Sequence, residues 1–580
     1  MEPKLQYTTG LSYTAEKNKL VLITLLKKYG IRNVIVSPGA TNMTFVASLQ
    51  HDGFFKMYSC VDERAAAYMA IGIANETKQP VVLSCTGATS SRNYFPGLTE
   101  ANYRGVPILV VTSSLSTEFV GHDYPQVTDR EHAPFDMVKA TYVLQNVKDH
   151  NDYWDCTIKA NRALNGLFSE KKGPIHINME TEYDPDFSVK KLPEVREIRV
   201  LRSSNSLPEI KHSNIVIFIG SHKIISESLQ RSIELFCENK NAIVLCDHTS
   251  NYYGKYKLNA SLLYVQEQYL SSKRFDLIIQ LGDITGDYYT AKALFFGELW
   301  KVSEDGEIKD RFRNTKYVFK MDDETFFGHY KNSKKQEGLN LYKILSKELE
   351  KVHALVPELP FSNVWIAQHT AHLIPQGSSV HFGILNSLRA WNFFDLPKGV
   401  TSFCNVGGFG IDGCLSSLIG ASLLDLGKLF FGVFGDLSFF YDMNVLRNEE
   451  IGNNVRILIV NNGRGTEFRN YSHPAAIMGK AVDPYVAAAG HFGYQSDTTI
   501  KRYATSCGFE YISAYNKSEY LTKVKYFTAM ALFDKPIVFE VFTDPDCESE
   551  ALKTISNILK GGKKSYLNKV KGIVKKLLKK

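Results

Sequence analysis

Short apolar runs, each followed by a polar segment of helical length, recur along the whole chain. They fall at 34–36, 81–84 and 108–112, then at 215–219, 243–246 and 277–281, and finally at 429–434 and 455–460. These runs are continuous rather than alternating, which marks strands buried on both faces. Strands that alternate with helices predict parallel, doubly wound sheets. A helix is expected over 17–28, stopped by Gly30. The pattern restarts near residue 190, and Lys and Glu accumulate across 330–360. The expected fold class is therefore α/β, with three doubly wound parallel-sheet domains at 1–188, 189–355 and 356–550 and a tail at 551–580. A length of 580 residues exceeds one ordinary core and has room for about three.

The strand ends carry the chemistry. The run 429–434 stops at Gly435-Asp436, and the run 455–460 stops at Asn461-Asn462-Gly463. An acid at one strand end and an amide at the next can share an oxygen-liking divalent ion such as Mg²⁺. The glycines let the backbone approach a diphosphate, and a helix start after Asp436 offers free N–H groups. Spacing alone does not choose between Asn461 and Asn462. Taken in isolation, the same residues also read as two ordinary β-α-β turns with polar ends. Nearer the N-terminus, 34–36 ends in Ser37-Pro38-Gly39, and Glu63 opens an apolar helix rich in alanine (Ala65, Ala66, Ala67, Ala70). With little polar company its carboxyl is expected to have a raised pKa. That suits it to hold a proton against a ring nitrogen. The plainer reading is a helix-opening glutamate favoured by the dipole.

Read together, Ser37-Pro38-Gly39, the DERAAA segment at 62–67, NYFPGLTEA at 93–101, VPILVVT at 106–112 and the GD…NN pair resemble the thiamine diphosphate (ThDP)-dependent decarboxylase and carboligase family. The SEPHCHC synthase branch is the most similar, and acetohydroxyacid synthase is more distant. Leu437 stands where most of the family has glycine. The resemblance implies ThDP and Mg²⁺ as cofactors, with pyrimidine-binding, central and diphosphate-binding domains in that order. Glu63 would bond the aminopyrimidine, with Pro38 nearby, and Gln126 would lie near the substrate. Asn386 and Ser387 would lie by the diphosphate and donor, and Gly410 by the aminopyrimidine. Ile411 would prop the bent coenzyme. Gly435, Asp436, Leu437, Ser438 and Asn462 would hold the diphosphate. Asp436, Asn462 and the Arg464 carbonyl would ligate the metal.

The reaction implied is decarboxylation of a 2-oxoacid donor and transfer of the remainder to an acceptor. The alternatives are simple decarboxylation, or a non-catalytic cofactor-binding regulatory subunit, against which an intact Glu63 argues. Similar enzymes share each active site between two copies, so a homodimer or homotetramer is expected. The relatives carry arginines for substrate carboxylates where this chain has Ala40-Thr41, Val406 and Trp391. Arg389 lies close by but shifted. An arginine lost from such a site is not a conservative change, so a less charged acceptor is expected. Arg469, His473 and His491, in the turn-rich segment 466–497, are further candidates for substrate contacts.

Composition bounds the rest. Nine cysteines without a CxxC pair point to reduced thiols and a cytoplasmic protein. No run of about 20 apolar residues could span a bilayer, and no apolar signal core opens the chain. Ten lysines and no acid lie in 551–580, which turns the +7 of the whole chain into −3 for the remainder. Leu567, Val570, Ile573, Val574, Leu577 and Leu578 recur there at helical spacing, suiting an anionic membrane surface or an acidic partner. Nucleic acid is not expected, because aromatic stacking residues do not accompany the lysines. The middle third lacks GxGxxG after a strand, so it reads as a scaffold without a dinucleotide.

Overall fold

The computed structural model describes residues 12–266, 275–332, 334–335, 340–490 and 495–560. The tail helix expected within 561–580 lies outside them. Residues 551–556 close the helix Pro545–Ser556, with Ala551, Leu552 and Ile555 buried.

Three sheets carry the fold, and every described strand pairing within them is parallel. The first contains Asn33–Val36 (β1), Lys56–Ser59 (β2), Val81–Cys85 (β3), Ile108–Ser114 (β4), Ala140–Leu144 (β5) and Ile175–Glu180 (β6), in the order β2-β1-β3-β4-β6-β5. The second contains Arg199–Arg202 (β7), Ile215–Ile219 (β8), Ile243–Cys246 (β9), Lys257–Leu258 (β10), Leu277–Leu281 (β11), Glu298–Val302 (β12) and Thr315–Lys320 (β13). Its order, β10-β9-β8-β11-β12-β13-β7, is the dinucleotide-fold winding with one strand added. The third contains Ser379–Phe382 (β14), Thr401–Cys404 (β15), Phe430–Gly435 (β16), Val455–Asn461 (β17), Glu510–Ala514 (β18) and Ile537–Phe542 (β19). Its order, β15-β14-β16-β17-β19-β18, repeats the winding of the first sheet strand for strand. In both, the winding reverses beside the first strand. Crevices outside the carboxyl ends of strands at such a reversal are where open α/β sheets bind ligands.

The chain divides into two compact units, one of residues 1–201 with 307–318 and one of 202–306 with 319–580. In the first unit, helix Lys17–Lys28 has the bounds its pattern predicts, and Gly30 takes φ +75° just beyond it. The segment 307–318 is tied in by Asp310, which is buried and accepts both Arg196 Nη2–H (2.6 Å) and Trp154 Nε1–H (2.8 Å). Arg162 Nη2–H donates to the Ile308 carbonyl at 2.7 Å. The Ala-rich helix Glu63–Thr77 packs on helix Phe95–Tyr103 so closely that a Cβ on Gly97 would lie 2.5 Å from that of Ala67. Alanine is therefore required on this face by contact, not by a ligand.

Candidate active site

In the second unit, β14 and β16 flank the reversal of the third sheet. β16 passes without a linker into helix Asp436–Asp442, with Gly435 at the N-cap and open space where its Cβ would be. Asp436 is buried, and its Oδ2 accepts the Gly463 N–H at 2.8 Å. Burial pushes its carboxyl up to about 7, against the lowering effect of the Leu437 and Gly463 N–H groups. β17 ends beside it. Asn461 is fully buried and donates to Glu540 Oε1 at 2.6 Å, which anchors it to β19. Asn462 donates to Thr466 Oγ1 at 3.3 Å, and the buried Oδ1 atoms of Asn461 and Asn462 are both without a partner. Buried polar atoms are almost always satisfied. An orphaned amide oxygen beside a buried carboxylate is a donor set that fits a hard divalent cation.

The neighbouring residues support this corner. Ser438 Oγ–H donates to the Ile411 carbonyl at 2.7 Å, fixing the half-buried Ile411 to the helix that starts at Asp436. Leu437 is half-buried and Ser387 is buried. Asn386 opens the helix after β14 and donates to Thr466 Oγ1 at 2.9 Å. Leu385, just before it, is held at φ +68°, a strained conformation that gathers at ligand sites. Gly410 precedes Ile411, and a Cβ there would meet Asp412 Oδ1 at 2.2 Å. The Arg464 side chain turns to Asp483 at 2.6 Å.

In the first unit, Ser37, Pro38 and Gly39 follow β1 at the corresponding reversal. A Cβ on Gly39 would lie 2.3 Å from the Thr86 Cβ, so the loops after β1 and β3 meet at a position only glycine fits. Glu63 is the first residue of its helix, and Asp62 caps it by accepting the Ala65 N–H at 3.1 Å. Glu63 is half-buried and accepts Asn93 Nδ2–H at 3.1 Å. The expectation of a raised pKa is corrected here. Burial does raise it, but hydrogen bonds from Asn93 and Ser90 outweigh that and hold the carboxyl below its ordinary range. Those donors come from the short helix Thr89–Asn93 after β3, Asn93 lying thirty residues away in sequence. Gln126 is exposed and sits at φ +65°.

Residues 19–133 match the thiamine pyrophosphate enzyme, N-terminal TPP binding domain. This is a thiamine diphosphate-dependent enzyme. Over 94% of its length it is 28% identical to the whole of the 2-succinyl-5-enolpyruvyl-6-hydroxy-3-cyclohexene-1-carboxylate synthase of Bacteroides thetaiotaomicron. The synthase of the same name from Bacteroides fragilis is 29% identical, also over 94% of this chain and 100% of its own. That of Desulfotalea psychrophila is 25% identical over 89% of this chain and 96% of its own.

The enzyme departs from simple substrate-binding expectations in one respect. Arg389 is not free to hold a carboxylate. It makes a two-pronged pair with Glu467, Nη1 to Oε2 at 2.6 Å and Nη2 to Oε1 at 2.9 Å, and a third bond to Asn386 Oδ1 at 3.0 Å. Arg469 Nε–H donates to Asp483 at 2.6 Å, so Arg464 and Arg469 share one acid. His473 Nδ1 accepts the Ala475 N–H, and His491 lies outside the described residues. Trp391 and Val406 are buried. Glu467 carried no motif; only its two-residue distance from Arg469 and its place in the turn-rich segment mark it in the sequence.

A cavity of about 630 Å³ lies at the ends of β8, β11 and β12 in the second sheet and shares no lining residue with this corner. Asp283, Glu304, Asp305, Asp322, Asp323 and Glu324 line it together with Lys223 and His222, a wall with more acids than bases. Among the described residues no helix is long and apolar enough to cross a membrane.

Proposed function

We propose that the chain is a ThDP- and Mg²⁺-dependent 2-oxoacid decarboxylase and carboligase, transferring the decarboxylated donor to an acceptor as SEPHCHC synthase-like or acetolactate synthase-like enzymes do. The observation that carries the reading is the buried Asp436 beside the partnerless Asn462 oxygen, at the ends of β16 and β17 next to the reversal of the sheet. Asp436 Oδ, Asn462 Oδ1 and the Arg464 carbonyl would ligate Mg²⁺. Gly435, Leu437 and Ser438 would hold the diphosphate with backbone N–H groups at the helix start. When bound, ThDP supplies the nucleophilic carbon and the electron sink for decarboxylation. Glu63, once a second copy covers it, would share a proton with the aminopyrimidine, and Ile411 would support the coenzyme. With Arg389, Arg464 and Arg469 all paired to acids, the acceptor carries few carboxylates.

Glu63 sits among exposed apolar side chains, Val61, Tyr68 and Met69, a surface suited to burial against a second copy. The enzyme is a homodimer or homotetramer in this reading, and the covering copy strips water from Glu63. Residues 563–580, outside the described residues, serve as a basic contact for anionic membrane. Equal liposome flotation of the full chain and a chain ending at 562 would remove that contact.

The test of the main reading is CO₂ release from a panel of 2-oxoacids with ThDP and Mg²⁺, wild type against Glu63→Gln. Release that depends on Glu63 is expected, and a silent wild type or an unaffected variant refutes the reading. Product masses with added aldehydes separate ligation from plain decarboxylation.

A further inference from the structure

Arg130 is 4% exposed. Its Nη1–H donates to the Ser113 carbonyl at 3.2 Å, while Nε and Nη2 have no partner. Among the described residues no carboxylate pairs with it. It lines a small cavity of about 20 Å³ together with Arg92, Ser91, Thr112 and His176, and no acid contributes to that wall. Arg92 is exposed at the mouth and donates to the Asp129 carbonyl at 2.9 Å. Burial and the charges of Arg130 and Arg92 hold His176 down to about 3, so it stays neutral. Two cations therefore face one cavity without a counter-charge.

A buried guanidinium left unpaired is costly, because its hydration is lost and nothing replaces it. The fork of an arginine matches a carboxylate better than a point charge does. The cavity of about 20 Å³ holds one water-sized group, room for one carboxylate oxygen reaching in from the mouth and not for a whole acid or a phosphate ester.

Its position links it to the site. A Cβ on Gly87, in the turn after β3, would lie 3.1 Å from Arg130 Nη1 and 3.2 Å from the Gln126 carbonyl. The residues that follow, Ser91 and Arg92, wall the cavity, and Asn93 bonds Glu63. One short helix, Thr89–Asn93, thus touches Glu63 through Asn93 and walls the Arg130 cavity through Ser91 and Arg92.

We propose that Arg130, assisted by Arg92, is the seat of a small carboxylate, and that it anchors the acid group of the substrate beside Glu63. Naming that acid as the 2-oxoacid donor rests on the function proposed above; the carboxylate seat itself does not.

The experiment uses the full chain without ThDP or Mg²⁺, so it succeeds or fails independently of coenzyme binding. Thermal midpoints are followed while acetate, pyruvate or chloride is titrated at constant ionic strength. A ligand that binds only the folded state raises the midpoint with the logarithm of its concentration. The wild type is expected to rise with acetate and pyruvate and much less with chloride. Arg130→Met is expected to be flat, yet no less stable than wild type in carboxylate-free buffer, because it removes a buried charge without a partner. Arg130→Lys is expected to retain a weakened rise. Equal responses of wild type and Arg130→Met overturn the seat, and equal protection by chloride overturns its assignment to carboxylates. Should Arg130→Met fail to fold, the wild-type titrations and Arg130→Lys still decide the matter. In the loaded enzyme, Arg130→Lys should raise KM for the 2-oxoacid more than it lowers kcat.

Discussion

Replacing Glu467 by leucine removes one half of an ion pair whose side chains are 12% and 19% exposed. Arg389 keeps only its bond to Asn386, and its charge is left in a site with little water. Removing one partner of a buried pair typically costs 3–5 kcal/mol; the residual access of Glu467 to water puts this case at about 3 kcal/mol. The double replacement Arg389→Met with Glu467→Leu substitutes apolar volume for both charges and is expected to cost about 1 kcal/mol, since such swaps are often close to neutral. The single and double variants should therefore show a coupling of about 2 kcal/mol or more. Urea unfolding of the metal-free protein, followed by near-ultraviolet circular dichroism, measures it. If Glu467→Leu costs less than about 1 kcal/mol and the two changes simply add, Arg389 does not depend on Glu467. The argument that it is withheld from substrate then fails.

Asn462→Ala and Asp436→Ala should each abolish magnesium-dependent uptake of ThDP in titration calorimetry, whereas Asn461→Ala should mainly loosen the anchor to Glu540. Glu540, buried against Asn461 and Tyr511 (2.8 Å), has its carboxyl pushed up to about 7 by burial. Its folded value lies above its unfolded one, so its contribution is full below about 4.5 and is lost as pH rises through 7, a change of about 3 kcal/mol. Urea midpoints of Glu540→Gln should fall less than those of wild type between pH 4.5 and 8. Gly97→Ala places a methyl 2.5 Å from the Ala67 Cβ and should cost about 1–3 kcal/mol through overpacking, read as a lowered thermal midpoint.

The three sheets were legible because their central strands are continuous apolar runs. β8, β9 and β11 have the bounds that their runs predict. Edge strands were not: β2 is largely exposed along Lys56–Ser59, and a strand without a buried face has no apolar signature. Asp436 and the asparagines stood out because each is a polar residue straight after an apolar run. The environment of Glu63 did not, because Asn93 and Ser90 reach it from a separate short helix, and only the winding of the sheet brings them together. Glu467 and Arg130 were missed for the same reason. Whether a charge is neutralised depends on a partner that sequence distance does not reveal.

The buried acid Asp310 bears on how this protein can be cut. It fastens a twelve-residue return segment, 307–318, to a body otherwise finished by residue 201. A recombinant piece ending at 201 would leave Arg196 and Trp154 without their shared acceptor. An expression boundary beyond 320, or a linker splicing 201 to 307, keeps the clasp whole.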